Sequence, residues 1–298
     1  MSAAPWEVVS AGPDRCGEAP LWDSRAGRLL WTDIPADRVY ALDPASGERS
    51  VVSRGVSVFG LALHAGGGLV LGGASGLHLL SAGGELRTVL SEHDGTPLPF
   101  NDLLAAPDGR IYAGTIYWGD EMERPGSLYL LHPDGRVEAV DDGVELANGL
   151  ALSPDDRTLY FADSAARTIY AYDVDPGTGR LSGKRRHVLL PVDDGIPDGI
   201  TTDAEGFLWC ACWYGGQVLR FDPDGRLERR IPLPVPQVSS LAFGGPDYTD
   251  LYVTTAAEPW PSRLAPRGYD PTAEQGGALY RLRPGVAGRP EYVARFRR

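Results

Sequence analysis

A short apolar strand that follows a turn recurs six times along the chain, and no other feature limits the possible folds as strongly. The copies start 40–49 residues apart, and a second strand follows each of them. They are AGRLLWTDI (26–34), GGGLVLGG (66–73), DGRIYAGT (108–115), DRTLYFAD (156–163), EGFLWCAC (205–212) and YTDLYVTT (248–255). Further β-like segments follow most copies, so about four strands per repeat predict an all-β fold. We expect a six-bladed β-propeller that forms one domain over residues 1–298.

Composition agrees with many short strands joined by tight turns. Of the 298 residues 43% are hydrophobic, 38 are glycine and 25 are proline, and no segment of helix length is amphipathic. Three Asp-Gly pairs predict hairpin turns, because glycine adopts the positive φ that such turns require. They are Asp108-Gly109, Asp134-Gly135 and Asp224-Gly225. The pattern leaves open whether WEVVS (6–10) or EYVARF (291–296) supplies the outer strand of the last blade.

Charge and cysteine usage restrict the partners and the compartment. A net charge of −12 argues against nucleic acid and anionic membranes as partners, since both bind basic patches. No apolar run approaches the ~20 residues of a membrane-spanning helix. Residues 1–10 lack the features of a secretory signal, and the three cysteines do not suggest a disulfide framework. We therefore expect a cytoplasmic protein. Its net charge is compatible with a small-molecule substrate but does not predict one, and its oligomeric state stays open.

One position of the repeat is polar in nearly every copy. The innermost strand of each repeat precedes the strand described above, as in ANGLALSPD (147–155) and IPDGITTDA (196–204). Aligning the six inner strands on their apolar pair gives one column, which contains Glu18, Phe59, Asn101, Asn148, Asp198 and Ser239. Inner strands surround the axis of a propeller, so the residues of this column are expected to converge there.

A ring of side-chain oxygens of this kind indicates a site for a hard cation. Two carboxylates at low dielectric repel each other unless a cation or a proton intervenes, whereas amide oxygens add ligands without further repulsion. Glu18, Asn148 and Asp198 are the predicted ligands of one divalent metal ion, with Asn101 as a candidate fourth. Calcium is favoured, and magnesium, manganese, iron(II) and zinc are alternatives. Against a metal site, Asn-Gly and Asp-Gly are ordinary turn formers, and propeller channels often hold polar residues bridged by water.

Several motifs together resemble the SMP-30/gluconolactonase/LRE (regucalcin-like) family, and the resemblance covers nearly the whole chain. These motifs are GEAPLWD (17–23), PDGRIYAGT (107–115), ANGLALSPD (147–155), IPDGITTDAEGFLWCACW (196–213) and LAFGGPD (241–247). The resemblance implies a six-bladed propeller with one divalent metal ion held by Glu18, Asn148 and Asp198. It places Asn101 beside the metal, in contact with the substrate or its waters. It also implies hydrolysis of a lactone, with Asp198 as the catalytic residue that takes a proton from the attacking water.

The residues expected around the substrate depart from the pattern of the family's sugar lactonases. Familiar members have an Arg where this chain has Pro99, which has no donor with which to grip a hydroxyl or a carboxylate. Aromatic residues are abundant near the expected rim instead, and Phe59, Tyr117, Trp118 and Trp213 are the predicted substrate contacts. This change predicts a substrate that is less polar or bulkier than a simple aldonolactone.

The longest irregular segment, EPWPSRLAPRGYDPTAEQGG (258–277), predicts a loop or lid at the rim. Within it, Arg263 and Arg267 are candidates for facing an anionic group, with a solvated loop as the alternative.

Three other functions stay open at the level of sequence. The chain could be a phosphotriester-type hydrolase, a specialised-pathway enzyme that reuses the metal site for another metal-assisted rearrangement, or a non-catalytic metal-binding propeller. The complete set of predicted metal ligands favours catalysis over binding alone.

Overall fold

The computed structural model describes residues 5–117 and 124–296, and its regular structure is almost entirely β-strand. Within these residues six sheets surround one axis as the blades of a propeller, which confirms the predicted fold. Five of them have four antiparallel strands, and the second has a short fifth strand that pairs in parallel. In the first five blades the chain starts at the axis and adds strands outwards, whereas the outer strand of the sixth blade comes from the N-terminal segment. Blade 1 consists of β2 (Gly17–Asp23), β3 (Arg28–Asp33), β4 (Arg38–Asp43) and β5 (Glu48–Arg54). Blade 2 contains β6 (Val58–His64), β7 (Leu69–Gly73), β8 (Gly76–Leu80) and β9 (Leu86–Leu90). Blade 3 consists of β12 (Phe100–Ala105), β13 (Ile111–Thr115), β14 (Gly126–Leu131) and β15 (Val137–Val144).

The remaining three blades complete the ring. Blade 4 consists of β16 (Ala147–Leu152), β17 (Thr158–Asp163), β18 (Thr168–Val174) and β19 (Leu181–Leu189). Blade 5 consists of β20 (Ile196–Thr202), β21 (Leu208–Trp213), β22 (Gln217–Phe221) and β23 (Leu227–Pro232). Blade 6 consists of β24 (Val238–Gly244), β25 (Asp250–Thr255), β26 (Leu279–Leu282) and β1 (Trp6–Ser10). Each inner strand contacts the inner strands of both neighbouring blades, so the six form a closed cycle around the axis.

Small elements lie between or beside the blades. A hairpin of β10 (Glu92–His93) and β11 (Thr96–Pro97) precedes blade 3, and two 3₁₀ turns span Ile34–Ala36 and Val192–Asp194. Within the described residues, no helix has the length and apolar composition needed to cross a bilayer.

The N-terminal segment closes the propeller. Strand β1, which contains WEVVS, pairs antiparallel with β26, with Trp6 opposite Leu282. The question left open by the sequence is therefore answered in favour of the N-terminus. The C-terminal EYVARF instead contains the short β27 (Val293–Ala294), which pairs in parallel with the inner strand β6. Because β1 is hydrogen-bonded into blade 6 and the chain then continues into blade 1, the N-terminal segment holds the first and last blades together.

Apolar contacts between blades form the core. Six buried clusters each join two neighbouring blades, so both faces of every sheet are covered. Trp209 of blade 5 packs edge-on against Phe243 of blade 6 with ring centroids 5.8 Å apart. Removing a large side chain from such a core costs about 3–5 kcal/mol. Burial on both faces explains why the strands read as short apolar runs rather than as strict alternation.

The predicted turns are confirmed. The glycines of the three Asp-Gly pairs have φ of +88°, +91° and +80°, a region that L side chains rarely adopt. They are Gly109, Gly135 and Gly225.

The last residues form a strap across the end of the propeller opposite to the start of the inner strands. Main-chain or side-chain hydrogen bonds tie segment 287–295 to five blades, through Gly288 to Tyr248, Ala287 to Ala204, Arg289 to Ser153, Arg295 to Gly109 and Ala294 to Ala65. Glu291 and Tyr292 of this strap, together with segments of all six inner strands, line a cavity of about 70 Å³ on the axis, which we call the lower cavity.

Glu291 makes the stability of the strap depend on pH. Burial raises the pKa of its carboxyl from 4.5 to about 7, although the charge of Arg289 partly opposes the rise, and Asp102 lines the same cavity. A raised pKa means that the folded state holds the proton more tightly, so this stabilisation is present at low pH and is lost as the pH rises through about 7.

We expect Glu291→Gln to be more stable than the natural chain at pH 8 and nearly equal to it at pH 5. The gain in the free energy of unfolding should not exceed about 3.5 kcal/mol, since the pKa rises from 4.5 to about 7 and one pKa unit corresponds to about 1.4 kcal/mol. Thermal melts at both pH values in saturating calcium measure this difference in stability. Glu274→Gln, a change at an exposed residue, is the control. Equal pH dependence in the Glu291 variant and the natural chain would contradict the prediction.

Candidate functional site

An irregularity in every inner strand shapes the site. In each of the six, the pairing with the second strand shifts at the column position or directly after it. In blade 4, for example, Asn148 and Gly149 together oppose the single residue Ala162. A β-bulge of this kind bends the strand and changes the direction of its side chains. Six bulges at one level of the axis therefore release the column residues from the regular alternation of the sheets.

Five of the six column residues line one cavity of about 420 Å³ at the end of the propeller where the inner strands begin. This upper cavity is lined, among the described residues, by Cys16, Glu18, Ile34, Pro35, Phe59, Asn101, Leu146, Asn148, Ile196, Asp198, Trp213, Glu258, Pro259 and Trp260. Its volume lies within the range of about 300–1,000 Å³ that is usual for small-molecule sites. The sixth column residue, Ser239, is buried elsewhere and donates its hydroxyl to the carbonyl oxygen of Gly17 at 2.6 Å, which joins blades 6 and 1.

Close approach of neighbouring inner strands brings the polar residues together. A Cβ atom at Gly149 would lie 2.5 Å from both the carbonyl oxygen of Asp198 and the nitrogen of Ile200. Only glycine allows the backbones of blades 4 and 5 to approach so closely without one of them moving. The residue that follows Asn148 in the sequence therefore helps to determine how near Asn148 lies to Asp198.

Hydrogen bonds determine which atom each amide presents. The hydroxyl of Ser164 donates to the carbonyl oxygen of Pro197 at 2.5 Å, so Ser164 Oγ accepts from the atom of Asn148 that lies 2.8 Å away, which is Nδ2. Asn148 Oδ1 faces the other side and accepts from Asn101 Nδ2 at 2.8 Å. Asn101 Nδ2 also donates to the carbonyl oxygen of Ala147 at 2.8 Å. Both hydrogens of Asn101 are thus used, and its Oδ1 accepts no hydrogen bond from the described residues.

The two column carboxyl groups have no cationic partner among the described residues. Glu18 and Asp198 are 9% and 5% exposed, and no Lys, Arg or His of the described residues forms an ion pair with either. Burial, followed by the negative charges of Asp198 and Asp102, holds the pKa of Glu18 well above its ordinary value. Burial, followed by the charge of Asp102, does the same to the pKa of Asp198. Such a pair favours the binding of protons or of a cation.

The donor set fits a hard divalent cation. Two carboxylates and an amide oxygen are ligands that calcium and magnesium prefer. Among the described residues, no group of three or more His, Cys, Asp or Glu side chains is arranged to hold a metal ion, so the amide oxygen of Asn148 is needed to complete a set of three. Cys16 also lines the cavity, but burial and then the charges of Glu18 and Asp198 hold the pKa of its thiol well above the ordinary value. A protonated thiol is a poor metal ligand.

The four aromatic residues predicted to contact substrate do not share one location. Phe59 and Trp213 line the upper cavity. Tyr117 is not among the described lining residues; its hydroxyl donates to the carbonyl oxygen of Pro97 at 2.9 Å, and the guanidinium of Arg124 lies 4.3 Å from its ring centroid. Trp118 lies outside the described residues.

The predicted rim loop lines the cavity with Glu258, Pro259 and Trp260. Its two arginines, Arg263 and Arg267, are not among the described lining residues, and Arg263 forms an ion pair with Glu145.

Sequence reasoning missed several lining residues, although the repeat contained a signal for three of them. Cys16, Leu146 and Ile196 each stand two positions before a column residue, and residues two apart in a strand share one face. Extending the column alignment by two positions would have identified them. No local pattern points to Ser164, which reaches Asn148 through the pairing of β16 with β17.

The fold and the site together define a class, namely six-bladed β-propellers with carboxylates and amides gathered at one end of the axis. Within this class, the sequence profile described as the SMP-30/Gluconolactonase/LRE-like region matches residues 16–257, and the chain belongs to this family. This confirms the resemblance drawn from the motifs.

Three relatives show how far the similarity extends. The pentonolactonase XacC of Haloferax volcanii is 36% identical over 278 residues, covering 93% of this chain and 94% of that protein. The structure of a luciferin-regenerating enzyme matches with a TM-score of 0.88 at 28% identity, covering 97% of this chain and 98% of that one. The structure of regucalcin from Agrobacterium tumefaciens, described as a calcium-binding protein, matches with a TM-score of 0.83 at 30% identity, covering 96% of each chain.

Proposed function

We propose that this protein is a divalent-metal-dependent lactonase whose reaction takes place in the upper cavity. The observation that carries the proposal is the pair of buried carboxylates, Glu18 and Asp198, which lack a cationic partner among the described residues and lie beside the oriented amide of Asn148. The pentonolactonase of Haloferax volcanii, which matches nearly the whole chain, supports lactones as the substrate class.

Glu18, Asn148 and Asp198 would hold the metal ion. Their oxygen-only donor set favours calcium, and the calcium-binding regucalcin among the relatives agrees with this choice. Magnesium, manganese, iron(II) and zinc are the alternatives to be compared. A divalent cation bound there supplies a Lewis acid for the lactone carbonyl and lowers the pKa of a coordinated water.

Of the two carboxylates, Asp198 is better suited to accept a proton. Glu18 Oε2 already accepts a hydrogen bond from the backbone N–H of Ala19 at 3.0 Å, whereas the carboxylate of Asp198 accepts none from the described residues. Asp198 takes one proton from the attacking water while the water oxygen bonds to the carbonyl carbon. The ring acyl–oxygen bond then breaks, and the same proton passes to the ring oxygen, which gives the hydroxy acid.

Asn101 orients the substrate or the attacking water by accepting a hydrogen bond. Its Nδ2 hydrogens are both engaged, so only Oδ1 is available, and Oδ1 pairs with a hydroxyl or with water rather than with a carbonyl. Phe59 and Trp213 provide apolar contact surface. Tyr117 and Trp118 remain predicted substrate contacts that the described lining does not include.

An activity assay that compares different metal ions tests the proposal. Chelated protein is supplied in turn with calcium, magnesium, manganese, iron(II) or zinc, and hydrolysis of γ- and δ-lactones is followed with a pH indicator. We expect lactone hydrolysis to require added metal and to stop when a chelator is added. Calcium binding by calorimetry without turnover of any lactone would instead support a metal-binding propeller, and faster cleavage of aryl phosphotriesters than of lactones would support the phosphotriesterase alternative.

A further inference from the structure

The charge of the upper cavity restricts its substrate. Its described lining contains three carboxylates, Glu18, Asp198 and Glu258, and no Lys, Arg or His. Glu258 lies at the rim, where Arg15 pairs with it at 2.8 Å. Once a divalent cation balances Glu18 and Asp198, the lining has no positive charge left for an anionic substrate.

One wall of the cavity is apolar and aromatic. Leu146, Ile196 and Trp213 belong to a buried cluster, against which Trp260 packs. The rings of Trp213 and Trp260 meet edge to face, with centroids 5.9 Å apart at 85°. Tyr214 supports this wall from outside the cavity lining, stacked on Trp260 with centroids 6.2 Å apart. We call Leu146, Ile196, Trp213 and Trp260 the aromatic wall.

The aromatic wall is held in place before any ligand binds. Gln237, which is fully buried, donates from Nε2 to the carbonyl oxygens of Ala256 and Glu258 at 3.0 and 2.8 Å. Its Oε1 accepts from the backbone N–H of Trp260 at 3.1 Å and from the hydroxyl of Tyr269 at 3.0 Å. Four hydrogen bonds to one buried side chain fix the start of loop 258–277, so little freedom is lost when a ligand contacts Trp260.

The same wall disfavours a substrate covered with hydroxyl groups. Leu146 and Ile196 have no hydrogen-bonding side-chain atoms, and the buried indole N–H of Trp213, which has no partner among the described residues, can donate to only one substrate acceptor. A sugar hydroxyl placed against such a surface loses its bond to water without replacement, which lowers affinity. An aryl or branched alkyl group loses nothing there and removes its own apolar surface from water.

We infer that the preferred substrate is a neutral lactone with a bulky apolar substituent, which lies against the aromatic wall while the lactone ring lies beside Asp198. This inference rests on the proposed lactonase function and adds the substrate class. It separates the protein from enzymes whose substrates are polyhydroxylated or carboxylated lactones.

A selectivity measurement tests the inference. Values of kcat/KM are compared for phenyl-substituted δ-valerolactone, glucono-δ-lactone and the carboxylated glucarolactone, in saturating calcium. We expect the phenyl lactone to exceed the other two by at least about 10-fold, since differences in pocket contact of this kind are worth about 10- to 200-fold. Trp260→Ala should reduce this ratio by about 10-fold or more, and Trp260→Phe should restore most of it.

A control variant separates loss of the wall from general damage. Trp6 lies in the outer strand β1 and contacts Tyr280 edge-on at 5.3 Å, so Trp6→Ala removes an equally large ring far from the cavity. It should leave the selectivity ratio unchanged, because a ratio measured on one sample does not depend on the folded fraction. An equal fall of the ratio in both variants would overturn the role of Trp260.

Binding without turnover distinguishes the inference from the proposed function. With calcium present, calorimetry should detect binding of a phenyl-substituted valerolactam, a non-hydrolysable analogue, to the natural chain. The same compound should bind more weakly to Trp260→Ala. Preference for gluconolactone or glucarolactone would overturn the inference and leave the lactonase proposal standing. Binding of the phenyl lactam without hydrolysis of any lactone would support the apolar site and overturn the lactonase proposal.

Discussion

Asn in place of Asp198 is expected to lower kcat/KM for lactone hydrolysis by about 10³-fold or more, since it removes a proton acceptor and replaces a charged metal ligand with a neutral one. The same change should raise the melting temperature of the chelated protein. Asp198 and Glu18 are buried carboxylates without a cationic partner among the described residues, and a neutral amide relieves their repulsion. Activity and apo stability should therefore change in opposite directions.

The calcium response gives an independent measurement of the same residue. A ligand at 100 times its Kd stabilises the folded state by about 2.7 kcal/mol. For a chain of this size that corresponds to a rise in Tm of roughly 4 °C. Differential scanning fluorimetry should show this rise for the natural chain and little of it for Asp198→Asn.

Asp194→Asn is a matched control in the same blade. Asp194 pairs with Arg230 and accepts from Gln217 but does not line the upper cavity. Its replacement should lower Tm in the chelated protein and leave the calcium response intact. If Asp198→Asn retained the full calcium response, the proposed ligand set would be wrong.

Loss of Arg220 is expected to destabilise the protein by about 3–5 kcal/mol, because it would leave a buried carboxylate without its counter-charge. Arg220 and Asp203 are 3% and 0% exposed, and Nε and Nη2 of Arg220 donate to the same Asp203 oxygen at 2.9 and 2.6 Å. The indole N–H of Trp209 donates to that oxygen at 2.8 Å, and Arg220 also reaches Glu205 at 2.6 Å. The network joins strands β21 and β22 of blade 5 to the turn that follows β20.

Denaturant unfolding followed by tryptophan fluorescence measures the effect of Arg220→Ala. The control is Arg185→Ala, which removes an arginine from an ion pair of similar length, 2.7 Å to Asp173, whose side chains are 48% and 61% exposed. An exposed pair contributes about 0–1 kcal/mol. Similar losses in the two variants would show that burial does not govern the strength of these pairs in this fold.

The repeat in the sequence contained much of the fold and part of the site. Strand patterns, Asp-Gly turns and the spacing of the copies depend on residues close together in the chain, so they could be read locally and are confirmed. The column alignment also predicted that Glu18, Asn101, Asn148 and Asp198 lie together, because equivalent positions of a propeller repeat meet at the axis. All four line the upper cavity. Ser239 belongs to that column, yet its hydroxyl bonds to Gly17 instead of facing the cavity.

The tertiary structure decided what the alignment could not express. The orientation of Asn148 depends on Ser164, which is 16 positions away, and that of Trp260 depends on Gln237, 23 positions away. Ser164 and Trp260 lie in connections between strands that do not repeat, so no periodic pattern records either contact. Which terminus closes the ring was also undecided, since WEVVS and EYVARF are both plausible strands and only their partners differ. The sequence by itself thus determined which oxygens meet at the axis, whereas contacts between distant, non-repeating segments decided their orientation and the apolar wall beside them.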